Sequence, residues 1–193
     1  MNENLQFFQA FLKNPLKVGA IAPSSPDLAR QMLEGVQPNE NSVLLELGVG
    51  TGAFTKFISD LIHDKKSYLG LELDKQLVKT LRVKFPDMRF MRGNACKAQA
   101  LHKRSKFGKV DYILSGLPFV SMPTEVNNKI FEQIEMFMEK GCTFRTFQYA
   151  HGYYMPSAIR LREFMRNRYG VSQRSPLVVK NVPPAYTLTW KTN

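Results

Sequence analysis

The chain alternates short apolar runs with stretches in which apolar residues return every three to four positions. Five runs predict strands, at residues 42–47, 68–71, 88–91, 110–115 and 142–149. Between them, helical spacing puts Phe54, Phe57, Ile58 and Leu61 on one face of residues 53–63. It puts Leu77, Val78 and Leu81 on one face of residues 75–85, and Val126, Ile130, Ile134, Phe137 and Met138 on one stripe of 125–139. Gly141 stops that last helix. These stripes read as core faces. Residues 160–169 look helical, and 171–180 and 185–192 read as two strands joined by Asn181-Val182-Pro183-Pro184. The pattern predicts an α/β fold, a mainly parallel sheet closed by a C-terminal antiparallel hairpin.

Composition narrows the class. With 193 residues, of which 44% are hydrophobic, the chain builds one domain over 1–193 and is not disordered. No apolar run approaches the roughly 20 residues of a membrane span. No secretory start is visible at the N-terminus, and Cys96 and Cys142 read as reduced thiols in a cytosolic protein. No metal site is expected. The net charge of +11 asks for an anionic partner, nucleic acid or membrane. It is uneven: residues 1–96 carry 12 basic and 10 acidic side chains, whereas 97–193 carry 15 and 6. Two clusters dominate, one running from Lys97 to Lys109 and one from Arg160 to Arg174. Residues 1–35 form an N-terminal helical segment. Its start, with Leu5, Phe7, Phe8 and Phe11, reads either as an amphipathic helix at a membrane interface, where it would cover the site, or as a helix packed on the domain.

The strongest motif is Glu46-Leu47-Gly48-Val49-Gly50-Thr51-Gly52, between a strand and a helix. Gly48 and Gly50 permit a tight turn that a ligand can approach, and Gly52 lets the helix start close to the strand. Glu46 is placed to bond backbone amides or the amino-acid end of a cofactor. Such a turn alone also suits a dinucleotide. The other strand ends decide. Glu72, followed by Leu73, ends the second strand, where a ribose diol is held, and Asp74 is an N-cap. Asn94 can bond an adenine amino group and Ala95 can donate a backbone N–H. Ser115 and Gly116 follow the fourth strand, ahead of Leu117, Pro118 and Phe119.

This set resembles the S-adenosylmethionine (SAM)-dependent class I methyltransferases. Within them it resembles the bacterial phospholipid N-methyltransferases, relatives of the ribosomal RNA adenine dimethylases. The resemblance covers nearly the whole chain. Its marks are 11–15 (Phe-Leu-Lys-Asn-Pro), Gly19 to Ser25, the Glu46–Gly52 motif, Ser115-Gly116-Leu117-Pro118, Phe147-Gln148-Tyr149 and Asn181 to Ala185. It implies a Rossmann-like fold, SAM as cofactor, and methylation of the amino group of phosphatidylethanolamine, stepwise toward phosphatidylcholine. RNA adenine or another amine lipid, such as ornithine lipid, is the alternative acceptor. The adenine enzymes carry Asn or Asp where this chain has Ser115, with Gly116 inserted, although Phe119 keeps base stacking open.

On the acceptor side, Pro23, Ser24 and Ser25 either bind lipid phosphate or line the cofactor pocket, or cap a helix starting near Pro26. Leu117 and Pro118 line the acceptor pocket. Tyr149 and Ser115 are the candidates to orient the amine, with His151 close behind, and Tyr149 reads equally as a core residue. A monomer bound peripherally to the cytoplasmic face of an anionic membrane is expected, with nucleic acid the weaker partner.

Overall fold

The computed structural model describes residues 24–192. The amphipathic stretch at residues 2–11 and the candidate residue Pro23 lie outside the described residues.

Strands β1 (Val43–Leu47), β2 (Tyr68–Glu72), β3 (Arg89–Arg92), β4 (Val110–Ser115) and β5 (Thr143–Tyr149) form the parallel part of one sheet. With β6 (Gln173–Arg174) and β7 (Ala185–Lys191) the order is β3-β2-β1-β4-β5-β7-β6. β7 runs antiparallel to both β5 and β6, as the expected hairpin requires. Among the described residues, six α-helices accompany the sheet: α1 (Pro26–Leu33), α2 (Ala53–Leu61), α3 (Lys75–Lys84), α4 (Ala98–Ser105), α5 (Thr124–Met138) and α6 (Pro156–Tyr169).

Alternation along the strands splits the core in two. Leu45, Leu47, Leu69 and Leu71 pack with Leu101 of α4, Phe131 of α5 and Leu161 of α6. On the other face, Leu44 and Tyr68 pack with Leu28 of α1, Ile58 of α2 and Leu81 of α3. Successive strand side chains point to opposite faces, so Glu46 and Glu72 share the α1–α3 side with Tyr68. Local signals set the ends. Asp74 Oδ1 accepts from the N–H groups of Gln76 and Leu77 at 2.7 and 3.0 Å and starts α3. Gly141, at φ +82°, follows α5.

Three expectations change. The strand expected at 171–180 contracts to Gln173–Arg174 with an isolated bridge from Val178 to Ala185. Pro176 lies between them and has no N–H to continue the ladder. α6 starts earlier than expected, with Pro156 in its first turn. The basic run from Lys97 to Lys109 contains α4, an unexpected helix that buries Ala98, Leu101 and Ser105. α4 runs back against the strands, so Lys103, Arg104, Lys106 and Lys109 lie toward the edge where β4 begins, away from the carboxyl ends. That part of the charge does not shape the acceptor side.

A buried Arg145 ties β5 to α1. Its Nη1 donates to the carbonyls of Met32 and Glu34 at 3.0 and 2.7 Å, and its Nε to Thr189 Oγ1 at 2.7 Å. The guanidinium thus takes up carbonyls that the end of α1 leaves unpaired, where the helix dipole favours a cation.

Candidate active site

The carboxyl ends of the parallel strands are locked in step by the residues that follow them. Gly48 donates to the Leu71 carbonyl, Gly93 to that of Glu72 and Gly116 to that of Leu47, each at 2.9 Å. The turns after β1 and β4 are pressed together. A Cβ on Gly116 would lie 2.8 Å from the Gly48 carbonyl oxygen, so only glycine fits there. A Cβ on Gly50 would meet nothing within 4 Å, although its φ of +59° disfavours any other residue. The turn therefore opens on free space at Gly50, beside exposed Thr51 and ahead of Gly52, the N-cap of α2.

Glu72 stands at the centre of this edge. Its Oε2 accepts from the Gly50 N–H at 2.8 Å and its Oε1 from that of Asp74 at 2.9 Å. Burial raises its pKa. Each oxygen retains a lone pair for a further donor. Leu73, half-buried, packs against the core on the side of the sheet that Leu71 faces. Asn94 Oδ1 accepts from the Cys96 N–H at 2.9 Å, which makes it the cap of the turn 95–97, and Ala95 follows half-buried. One lone pair on Asn94 Oδ1 is left for an exocyclic amine.

Glu46 is fully buried, on the face of the sheet that Glu72 shares. Its Oε2 accepts from Tyr68 Oη at 2.6 Å and Thr55 Oγ1 at 2.8 Å, while its Oε1 is buried without a partner. Desolvation pushes its pKa up to about 7. Glu46 braces β1 to β2 and α2 beneath the turn. A signal for its partners exists in the sequence, because a carboxylate within the apolar run 42–47 requires buried donors. Ser115 is likewise fully buried, and its Oγ accepts from the Leu117 N–H at 3.3 Å. That bond shapes the turn after β4.

Several of the residues expected on the acceptor side lie around the end of β5. The Tyr149 and His151 rings stack at 5.7 Å with 13° between planes, and Phe147 meets Tyr149 edge-on at 5.2 Å. Phe147 reaches Phe54 of α2 at 5.8 Å, linking Tyr149 to the side of the crevice where Phe54 borders Gly116. Burial pushes the Tyr149 hydroxyl up to about 12, so it remains a neutral hydrogen-bonding group. Ser25 does cap α1, its Oγ accepting from the Leu28 N–H at 3.1 Å, with Ser24 half-buried before it. The Ser25 N–H donates to Asn181 Oδ1 at 2.8 Å, and Asn181 Nδ2 to the Pro183 carbonyl at 2.7 Å. Asn181 thus joins α1 to the loop before β7, a role its sequence position did not disclose. Leu117 is buried over Gly48, and Pro118 is half-buried. Phe119 is only 2% exposed and packs on Phe131 at 5.4 Å, so it is not presented to a base.

The profile of the ribosomal RNA adenine dimethylases matches residues 1–148. The chain belongs to the ribosomal RNA adenine dimethylase family. This member of the family is 28% identical over 147 residues to an ornithine lipid N-methyltransferase of Singulisphaera acidiphila, covering 75% of this chain and 77% of that protein. Two solved structures show the same fold. A SAM-dependent methyltransferase of Anabaena variabilis superposes with a TM-score of 0.65 at 14% identity, covering 100% of this chain and 96% of that one. Fibrillarin of Aeropyrum pernix, with natively bound SAM, gives 0.62 at 15% identity over 84% of this chain and 73% of that one.

The dimethylase-family chain is therefore a SAM-dependent methyltransferase of the class I, Rossmann-like fold. Its crevice fits the cofactor: there is open space at Gly50, and Glu72 keeps acceptor capacity for two ribose hydroxyls. The backbone from Gly48 to Gly52, with Glu72, Leu73, Asn94, Ala95 and Gly116, would hold it. When bound, SAM supplies a sulfonium-activated methyl group to a nucleophile.

Proposed function

We propose that the protein methylates the amine of a lipid headgroup at a membrane surface. Phosphatidylethanolamine is the acceptor the sequence resemblance implies. Ornithine lipid is the second, favoured by the similarity to the Singulisphaera enzyme. The burial of Phe119 carries the preference for lipid over RNA: the side chain that would stack on an adenine is committed to the core.

Catalysis of this kind demands alignment more than activation. A neutral amine has the lone pair that attacks, and as the new N–C bond forms the amine sheds a proton. Tyr149, neutral over the physiological range, accepts from an amine N–H and turns the lone pair toward the crevice. It keeps its own proton, so the proton lost by the amine leaves to solvent. The test supplies isotopically labelled SAM with detergent micelles of phosphatidylethanolamine, micelles of ornithine lipid, or adenine-containing RNA. Label in either lipid supports the proposal. Label in RNA alone contradicts it.

A further inference from the structure

Among the described residues, seven large apolar side chains are exposed, and four of them border the end of β5. Tyr154 is 79% exposed and Met155 46%, in the loop after β5, while Val179 is 66% and Val182 75%, in the loop before β7. The two loops lie side by side. The Ala150 N–H donates to the Pro184 carbonyl at 2.8 Å, and the rings of Tyr153 and Tyr186 meet at 5.3 Å. Single exposed apolar residues need no explanation, but a cluster at one edge marks an interaction surface.

The charge placed beside it is basic: Arg162, Arg174 and Lys180, with Glu163 the one acid between residues 150 and 186. Lys180 sits between Val179 and Asn181 at the tip of the loop. Behind the apolar rim, Arg174 lies over the Tyr186 and Tyr153 rings at 4.8 and 5.4 Å, and Arg162 over Tyr153 at 3.9 Å. These stacks hold the guanidinium groups beside the apolar residues.

We propose that this edge docks on a membrane leaflet rich in anionic lipid. Tyr154, Met155, Val179 and Val182 enter the boundary between headgroups and acyl chains, and Lys180 and Arg174 meet lipid phosphates. The proposal rests on the lipid-amine reading and deepens it by naming the face that meets the bilayer. Tyr149 stands at the same strand end, so docking brings headgroups to the crevice.

The test is sedimentation of the full chain with phosphatidylglycerol-containing vesicles, without methyl donor. Tyr154→Asp/Val182→Asp should bind at least about tenfold more weakly, since each side chain loses its apolar burial. Val171→Asp is the control. Val171 is 81% exposed but precedes β6 toward the opposite sheet edge, so its substitution should change binding by less than about twofold. Val179→Asp alone, in a surface loop, provides a milder variant should the double one unfold. Equal losses in the Val171 and rim variants, or none in either, overturn the proposal. So does wild-type protein that ignores these vesicles while the rim variants weaken RNA binding. Detergent-micelle methylation separates the two readings. Vesicle binding lost in the rim variants, with no lipid methylated by wild type, supports docking and rejects the lipid-amine function. Micellar methylation with vesicle binding indifferent to the rim rejects docking alone.

Discussion

Glu46→Gln tests whether the carboxylate of the glycine motif braces the fold. Glu46 is fully buried, and its pKa stands at about 7 instead of the ordinary 4.5. The folded chain therefore keeps a proton that the unfolded chain has already released. A raise of this size corresponds to about 3 kcal/mol. The sign follows from proton number. Between about pH 4.5 and 7 the folded state binds more protons, so this contribution favours folding below about pH 4.5. It is lost as pH rises through about 7, and is flat beyond. Glutamine can still accept from Thr55 and Tyr68, but it does not titrate. The assay is urea unfolding of both proteins at closely spaced pH values from 5 to 8. Other groups titrate alike in both and cancel in the difference. Wild type should lose roughly 2 to 3 kcal/mol relative to the variant across that range. The same pH slope in both proteins would refute the reasoning and leave Glu46 ionised throughout.

Three further outcomes follow from the geometry. Gly50→Val forces a branched side chain into φ +59° and into the open space of the turn, so calorimetry should show donor affinity reduced at least about tenfold in a folded protein; normal affinity would contradict the cofactor assignment. Tyr149→Phe removes the hydroxyl but keeps the ring stack on His151, so turnover should fall roughly tenfold with donor affinity unchanged; unaltered turnover would make Tyr149 a packing residue only. Arg145→Met leaves the Met32 and Glu34 carbonyls without their donor and should lower the unfolding free energy by about 3 kcal/mol, read as a lower urea midpoint; a change below about 1 kcal/mol would show that water replaces the guanidinium.

The parallel sheet was legible because its strands are short apolar runs separated by helical periods, a pattern local to each segment. The glycine turn and Glu72 were legible for the same reason, since position after a strand implies the crevice. Hydrogen-bond partners were not. Glu46 lies in the ligand motif, yet side-chain alternation turns it toward Tyr68, 22 residues on. Phe119 follows a strand end as a stacking residue would, but Phe131 of α5 draws it into the core. α4 was hidden because its core face consists of only Ala98, Leu101 and Ser105 amid basic side chains. Where the chemistry of one residue depends on a distant segment, spacing alone gives no sign of it.

The most direct measurement is mass spectrometry of lipids from a host that makes amine lipids and expresses this protein. The account predicts phosphatidylethanolamine or ornithine lipid carrying added methyl groups, absent when the Gly50→Val protein is expressed instead. An unchanged lipid profile, together with newly methylated adenine in the host's RNA, would contradict it.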